Sequence, residues 1–117
     1  MLLVYLNPGA WDALTEEQQN AVFEGHDTFQ KLVSETGEMV VTDALADPRR
    51  SAVVQVRDGV VYTTEGPYLP AREFFCGYYV VECASRDRAI DLAALIPDSH
   101  YSAIEVRPFV DLDEDED

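Results

Sequence analysis

The sequence predicts an α+β fold, ferredoxin-like with an extra β-hairpin. Three observations carry this expectation. Two stretches of helical periodicity are each flanked by β-rich runs, in the order strand, helix, strand, hairpin, strand, helix, strand. An Asp58-Gly59 dipeptide joins two valine-rich runs, the pattern of a two-residue hairpin turn. Two of the strands are apolar on both faces, so two helices cannot supply all the cover they need. With 117 residues, 47% of them hydrophobic and 26% charged, the chain is long and apolar enough for one core rather than a disordered polymer. A single domain over residues 1–110 is expected, followed by an acidic disordered tail at 111–117.

Met1 to Leu6 is a continuous apolar run halted by Asn7-Pro8-Gly9, which suits a buried first strand ended by a turn. Thr15-Glu16-Glu17-Gln18 is a capping box: the Thr15 hydroxyl and the Gln18 amide can each satisfy an exposed backbone donor, so a helix starts there. Val22, His26, Phe29 and Val33 then recur at helical spacing, charged residues populate the other side, and Gly37 supplies the stop. Glu38 to Thr42 reads as the second strand, followed by an irregular passage through Leu45, Asp47, Pro48 and Arg49-Arg50.

The hairpin comprises Ala52 to Arg57 and Val60 to Thr64. A two-residue turn at Asp58-Gly59 sets Val56 opposite Val61, Val54 opposite Thr63 and Gln55 opposite Tyr62. Phe74 to Cys83 is a long strand with Tyr79, Val81 and Cys83 on one face and Tyr78 and Val80 on the other. Ser85 can cap a second helix whose apolar stripe is Ala89, Leu92, Ala93 and Ile96, ended by Pro97. The last strand is expected at about Ala103 to Phe109. Because helices cover one side of this sheet, the cover for its second face is expected to be another copy of the chain, giving a homodimer.

Charge narrows the partners. The net charge is −15, and losing the six acidic side chains of the tail still leaves −9. A surface of that sign repels phosphate backbones and anionic lipid, so no nucleic acid and no membrane is expected as a partner. Cys76 and Cys83 lie seven residues apart in one strand, too far for an unstrained disulfide, and are expected as free thiols. There is no hydrophobic leader or membrane-length apolar run, which makes a reducing, cytoplasmic compartment the expectation.

Glu65-Gly66-Pro67-Tyr68, with Arg72-Glu73 and Gly77-Tyr78-Tyr79 after it, resembles the DGPF motif of the YCII-related proteins, with Glu in place of Asp and Tyr in place of Phe. The likeness extends through Trp11, His26, Gly37, Leu45 with Pro48, Val56-Arg57-Asp58-Gly59 and Ile96-Pro97 to Glu105-Val106-Arg107-Pro108. It implies the dimeric α+β barrel type of assembly and a cleft bounded by the sheet, the first helix and the Gly-Pro loop. Relatives carry a histidine at the position of His26, some are thought to pair it with an acid, and one resembles a dehydrochlorinase of aromatic degradation. Few reactions are assigned across the family, so the resemblance names no substrate.

The candidate chemistry follows. His26 on an apolar helix face is either a core histidine satisfied by one hydrogen bond or a general base supported by a carboxylate. Glu65, matching the motif's acid, is the expected partner, although the extra methylene extends its reach by roughly 1.5 Å and a carboxylate capping its own turn is the competing role. Gly66 and Pro67 read as turn formers in that loop. Asn7, where relatives often have an acid, is a possible ligand contact but not a base at neutral pH. Tyr68 and Tyr78 could offer hydroxyls to a ligand or simply pack, and Arg107 could bind an anion or pair with Glu105. His100, beside Pro97 and Asp98, reads as part of an exposed polar loop. No cluster with metal-ligand spacing, phosphate loop or nucleophile elbow is present in the sequence, so no metal and no cofactor is expected. The resulting readings are a cleft holding a small metabolite, with a His/carboxylate lyase or isomerase activity, or else a non-catalytic binding or structural dimerisation module.

Overall fold

The first apolar run forms strand β1 (Leu2–Leu6) at the centre of the sheet in a computed structural model that describes residues 1–110. Asn7 does more than end it. Its side-chain oxygen accepts from the Ala10 N–H and Pro8 occupies the first turn, so the residues expected as a simple turn also start a short helix, α1 (Pro8–Asp12). Helix α2 (Glu16–Glu35) begins at the expected capping box, with both reciprocal bonds formed. It ends at Thr36, after which Gly37 takes φ +79°, the left-handed geometry that a glycine adopts without steric cost.

Strand β2 (Met39–Ala44) follows, and Asp47 caps a 3₁₀ turn at Pro48–Arg50 within the passage read as irregular. Strands β3 (Ala52–Arg57) and β4 (Val60–Glu65) pair in the expected register, Val56 with Val61, Val54 with Thr63 and Gln55 with Tyr62. Asp58 and Gly59 have φ of 52° and 78°, the positive values a two-residue hairpin turn requires. Strand β5 (Phe74–Val81), helix α3 (Arg86–Ala94), a second 3₁₀ turn (Pro97–His100) and strand β6 (Ala103–Val106) complete the order. The last strand stops short of the expected Phe109 because β1, its neighbour, ends the ladder; the final contact is the Arg107 N–H on the Met1 carbonyl.

Four strands form an antiparallel sheet in the order β2-β5-β1-β6, and β3-β4 form a separate ribbon. This is the ferredoxin-like arrangement, α+β with an added hairpin, and no barrel closes among the described residues. The acidic tail expected at 111–117 lies outside them.

Helices α2 and α3 pack on one face of the sheet. Phe29 and Val33 from α2 and Ala89, Leu92 and Ala93 from α3 meet Leu2, Val4 and Tyr79 from the sheet and Ile96 beyond α3, while Val22, also buried, lies at the cleft wall. Val33, Leu92 and Ile96 are fully buried. Phe29 meets the Tyr79 ring edge-on at 4.8 Å, which fixes the height of α2 over β5. Arg88 makes two hydrogen bonds to Glu38, at 2.9 and 3.1 Å, and so ties α3 to the start of β2. Both cysteines are free thiols, as expected.

Candidate functional site

His26 lies one helical turn from Phe29 on the buried face of α2, which aims its ring at β5 and at the second 3₁₀ turn. Both ring nitrogens have partners: Nδ1 lies 2.6 Å from the Tyr79 hydroxyl and Nε2 lies 2.5 Å from Asp98 Oδ1. A carboxylate can only accept, so Nε2 carries the proton and donates to Asp98. The neutral ring then has one lone pair left, on Nδ1, and it accepts from the Tyr79 O–H. The Gln30 amide donates to the Tyr79 oxygen at 3.4 Å, closing a chain that runs Asp98, His26, Tyr79, Gln30.

Among the described residues Asp98 is the one buried charged residue, 9% exposed, and three features hold it there. Ile96 anchors the segment in the core. Pro97 starts the 3₁₀ turn. The Asp98 carbonyl accepts from the Tyr101 and Ser102 N–H groups and from the Ser102 hydroxyl, which also bonds the Tyr5 carbonyl. The turn can approach α2 this closely because residue 25 is glycine. A Cβ built there would sit closer than 3.0 Å to the Pro97 ring. A glycine in mid-helix costs about 1 kcal/mol of helix propensity, and here that cost admits Pro97 and brings Asp98 against the adjacent His26.

The chain borders a cleft of about 650 Å³ between α2, α1 and the sheet. Its apolar wall includes Leu6, Trp11, Val22 and Phe23, and its polar groups include His26, Asp27, Gln30, Thr42 and Asp98. Trp11 and Phe23 meet edge to face at 5.5 Å, joining α1 to α2 at the cleft wall. Among the described residues, no lysine or arginine lines the cleft. Burial, with the charge of Asp98 adding to it, pushes the Cys76 thiol up to about 11, so this cleft cysteine stays protonated at neutral pH, its thiol directed at the Val4 carbonyl. Burial likewise raises the Tyr79 hydroxyl above the ordinary phenol value; the Gln30 bond lowers it, and Asp98 and Asp27 raise it further.

The other candidates are dispersed. Glu65 ends β4 in the separate ribbon and does not line the His26 cleft, so the acid beside His26 is Asp98, 72 residues away in sequence. Gly66 has φ +97°, and its N–H donates to the Ser51 carbonyl at 2.7 Å, which continues the β3–β4 pairing past Ala52 and Glu65. Pro67 and Tyr68 border a different groove, with Leu45 to Pro48, Arg50 to Val53 and Phe75, and Tyr68 is exposed. Asn7 caps α1 and donates to Glu73. Tyr78 adjoins the cleft from β5, but its register with Leu3 and Asp43 sets its side chain on the sheet face away from α2, where the hydroxyl donates to Asp43 at 3.4 Å. Arg107 is exposed and lies 4.0 Å from Glu105. His100 is exposed against Tyr101, as expected for a surface position.

Asp98 and Gly25 escaped the sequence reading. Flanking Ser99 and His100 made the Asp98 segment look like a solvated loop, yet the buried Ile96 two residues earlier was a usable signal. An isolated glycine beside a histidine in a long helical pattern was another.

Comparison with known proteins adds two findings. The family model described as YCII-related domain matches residues 1–113. An uncharacterised protein of Rhizobium meliloti (strain 1021) is 26% identical over 109 residues, spanning 92% of this chain and 88% of that protein.

Proposed function

The chain belongs to the YCII-related domain family, and from that premise we propose that the cleft beside α2 binds a small organic molecule, with the His26–Asp98 pair as its acid–base element. The observation that carries this reading is the 2.5 Å bond between His26 Nε2 and Asp98 Oδ1 at the edge of a 650 Å³ cleft. A buried carboxylate that accepts from an imidazole fixes its tautomer and stabilises the protonated ring, the arrangement needed to move a proton at neutral pH. The apolar wall and a described lining without lysine or arginine favour a ligand that is largely apolar and not strongly anionic. The chemistry this supports is proton abstraction and return, as in a lyase or an isomerase. Full satisfaction of both imidazole nitrogens favours the second reading, a binding module without catalysis.

The test is a metabolite screen by thermal shift on the wild type and on His26→Ala. The proposal expects compounds that raise the wild-type Tm and lose that effect in the variant. Equal shifts in both proteins remove His26 from the binding account.

The same reading includes a homodimer. Leu3, Tyr5, Phe75, Tyr78 and Val80 leave an apolar strip, half buried, on the sheet face away from the helices. The domain measures 20 Å along its shortest axis, about the thickness of one sheet and one helix layer. The ribbon leaves Val54, Val56 and Val61 more than 60% exposed. A second copy covers both features by packing sheet on sheet. Light scattering at micromolar concentration is expected to give twice the chain mass, and a monodisperse monomer contradicts it.

A further inference from the structure

We propose that the hydroxyl oxygen of Tyr79, rather than a nitrogen of His26, is the atom that exchanges a proton with a molecule bound in the cleft. This rests on the cleft reading above and goes beyond it by naming the contact atom and the class of group it meets.

His26 has no ring nitrogen to offer. Nε2 is committed to Asp98 at 2.5 Å and Nδ1 to Tyr79 at 2.6 Å. The hydrogen-bond chain therefore meets the cleft beyond His26, at Tyr79, which is 3% exposed and part of the wall. The proton of the Tyr79 oxygen points at His26 Nδ1, one lone pair accepts weakly from Gln30 at 3.4 Å, and the second lone pair has no partner among the described residues. A ligand can meet Tyr79 only by donating to it, so the complementary group is a weakly acidic O–H or N–H. Burial holds the phenol protonated at rest, and Asp27 and Asp98 oppose a lasting phenolate there.

The step balances without a further reactant. The ligand's proton passes to the Tyr79 oxygen while the Tyr79 proton passes to His26 Nδ1. One ligand O–H or N–H bond breaks, one N–H bond forms on the imidazole, and Tyr79 ends as it began. The ligand is left as an anion and His26 as an imidazolium beside the Asp98 carboxylate, which compensates the new charge. The reverse transfer returns the proton. His26 and Asp98 are then positioning and charge-storing groups, and Tyr79 is the contact.

The probe is 4-nitrophenol, a chromophoric weak acid small enough for the cleft. Trp11 is the single tryptophan of the chain and borders the cleft, so saturable quenching of its fluorescence reports occupancy, while the yellow phenolate band of the bound dye reports where the proton lies. Tyr79→Phe removes one oxygen and keeps the ring against Phe29. His26→Gln offers Tyr79 an acceptor that cannot hold a second proton, and serves if the first variant misfolds. Bound wild type is expected to raise the phenolate fraction above that of free dye at the same pH, and either variant to bind dye at the free-dye fraction. A rise that persists in a variant, no rise in the wild type, or a rise lost only together with binding overturns the proposal. Wild type without saturable quenching fails the cleft reading itself, which distinguishes the two.

Discussion

Substituting Gly25 by Ala tests how the site is assembled. A Cβ at this position falls closer than 3.0 Å to the Pro97 ring, so either the ring or the helix has to withdraw by roughly 1 Å to reach ordinary contact. Asp98 follows Pro97 in the chain and His26 follows Gly25, so the same displacement acts on the bond between them. Lengthening a 2.5 Å bond by roughly 1 Å takes it to the outer limit of hydrogen bonding. In stability, alanine gains about 1 kcal/mol of helix propensity, while forcing a methyl group into a packed contact costs about 1–3 kcal/mol. The net is a loss of up to about 2 kcal/mol, which for a domain of this size lowers Tm by up to about 8 °C. Two assays read the two consequences: thermal denaturation followed by circular dichroism, and the low-field proton NMR signal of the His26 Nε2–H. The expected result is a lower Tm with that signal lost or shifted upfield. Adding Pro97→Ala removes the ring that is struck and is expected to make the Gly25→Ala cost smaller, a positive coupling in the double-mutant cycle. A higher Tm with the signal unchanged would refute the reasoning, because helix propensity alone would then describe position 25.

Three further expectations follow from the packing and the electrostatics. Arg88, and then Thr36, hold the Glu38 carboxylate below its usual range, so the stabilisation is present above the ordinary carboxylate value and is lost as pH falls through the lowered folded-state value; Glu38→Gln is expected to lower Tm at neutral pH and to narrow the difference from wild type in acid, as seen in melts across that range. Leu92→Ala empties a fully buried position and is expected to cost about 2–5 kcal/mol in urea unfolding with little change in slope; a loss well under 1 kcal/mol contradicts the core described. Cys76, with its thiol pushed up to about 11, is expected to react with iodoacetamide in the folded protein at mildly alkaline pH much more slowly than a free thiol, and mass spectrometry of the labelled peptide checks this.

Much of the fold was legible in the sequence because its signals are local. The hairpin register follows from Asp58-Gly59, since only a two-residue turn with two positive φ angles sets Val56 opposite Val61. The start of α2 follows from Thr15 and Gln18, which satisfy each other's backbone within one turn. The short helix α1 was hidden because an Asn-Pro pair caps a helix as well as it ends a strand. The candidate site was legible by halves. His26 stood out by its place on an apolar stripe, and a carboxylate partner was a sound chemical expectation. Which carboxylate it would be depended on where a turn 72 residues away packs against the helix, and on a glycine that lets it approach. No local rule carries that information. Glu65 was drawn to the site by its motif, but the ribbon that carries it forms its own sheet.

The most direct test of the central claim is a crystal structure of the protein with a compound from the thermal-shift screen. The account predicts ligand density in the cleft between Trp11, His26 and Thr42, within hydrogen-bond distance of the Asp98–His26–Tyr79 chain. Density confined to the groove beside Pro67 and Tyr68, with the His26 cleft unoccupied, would contradict it.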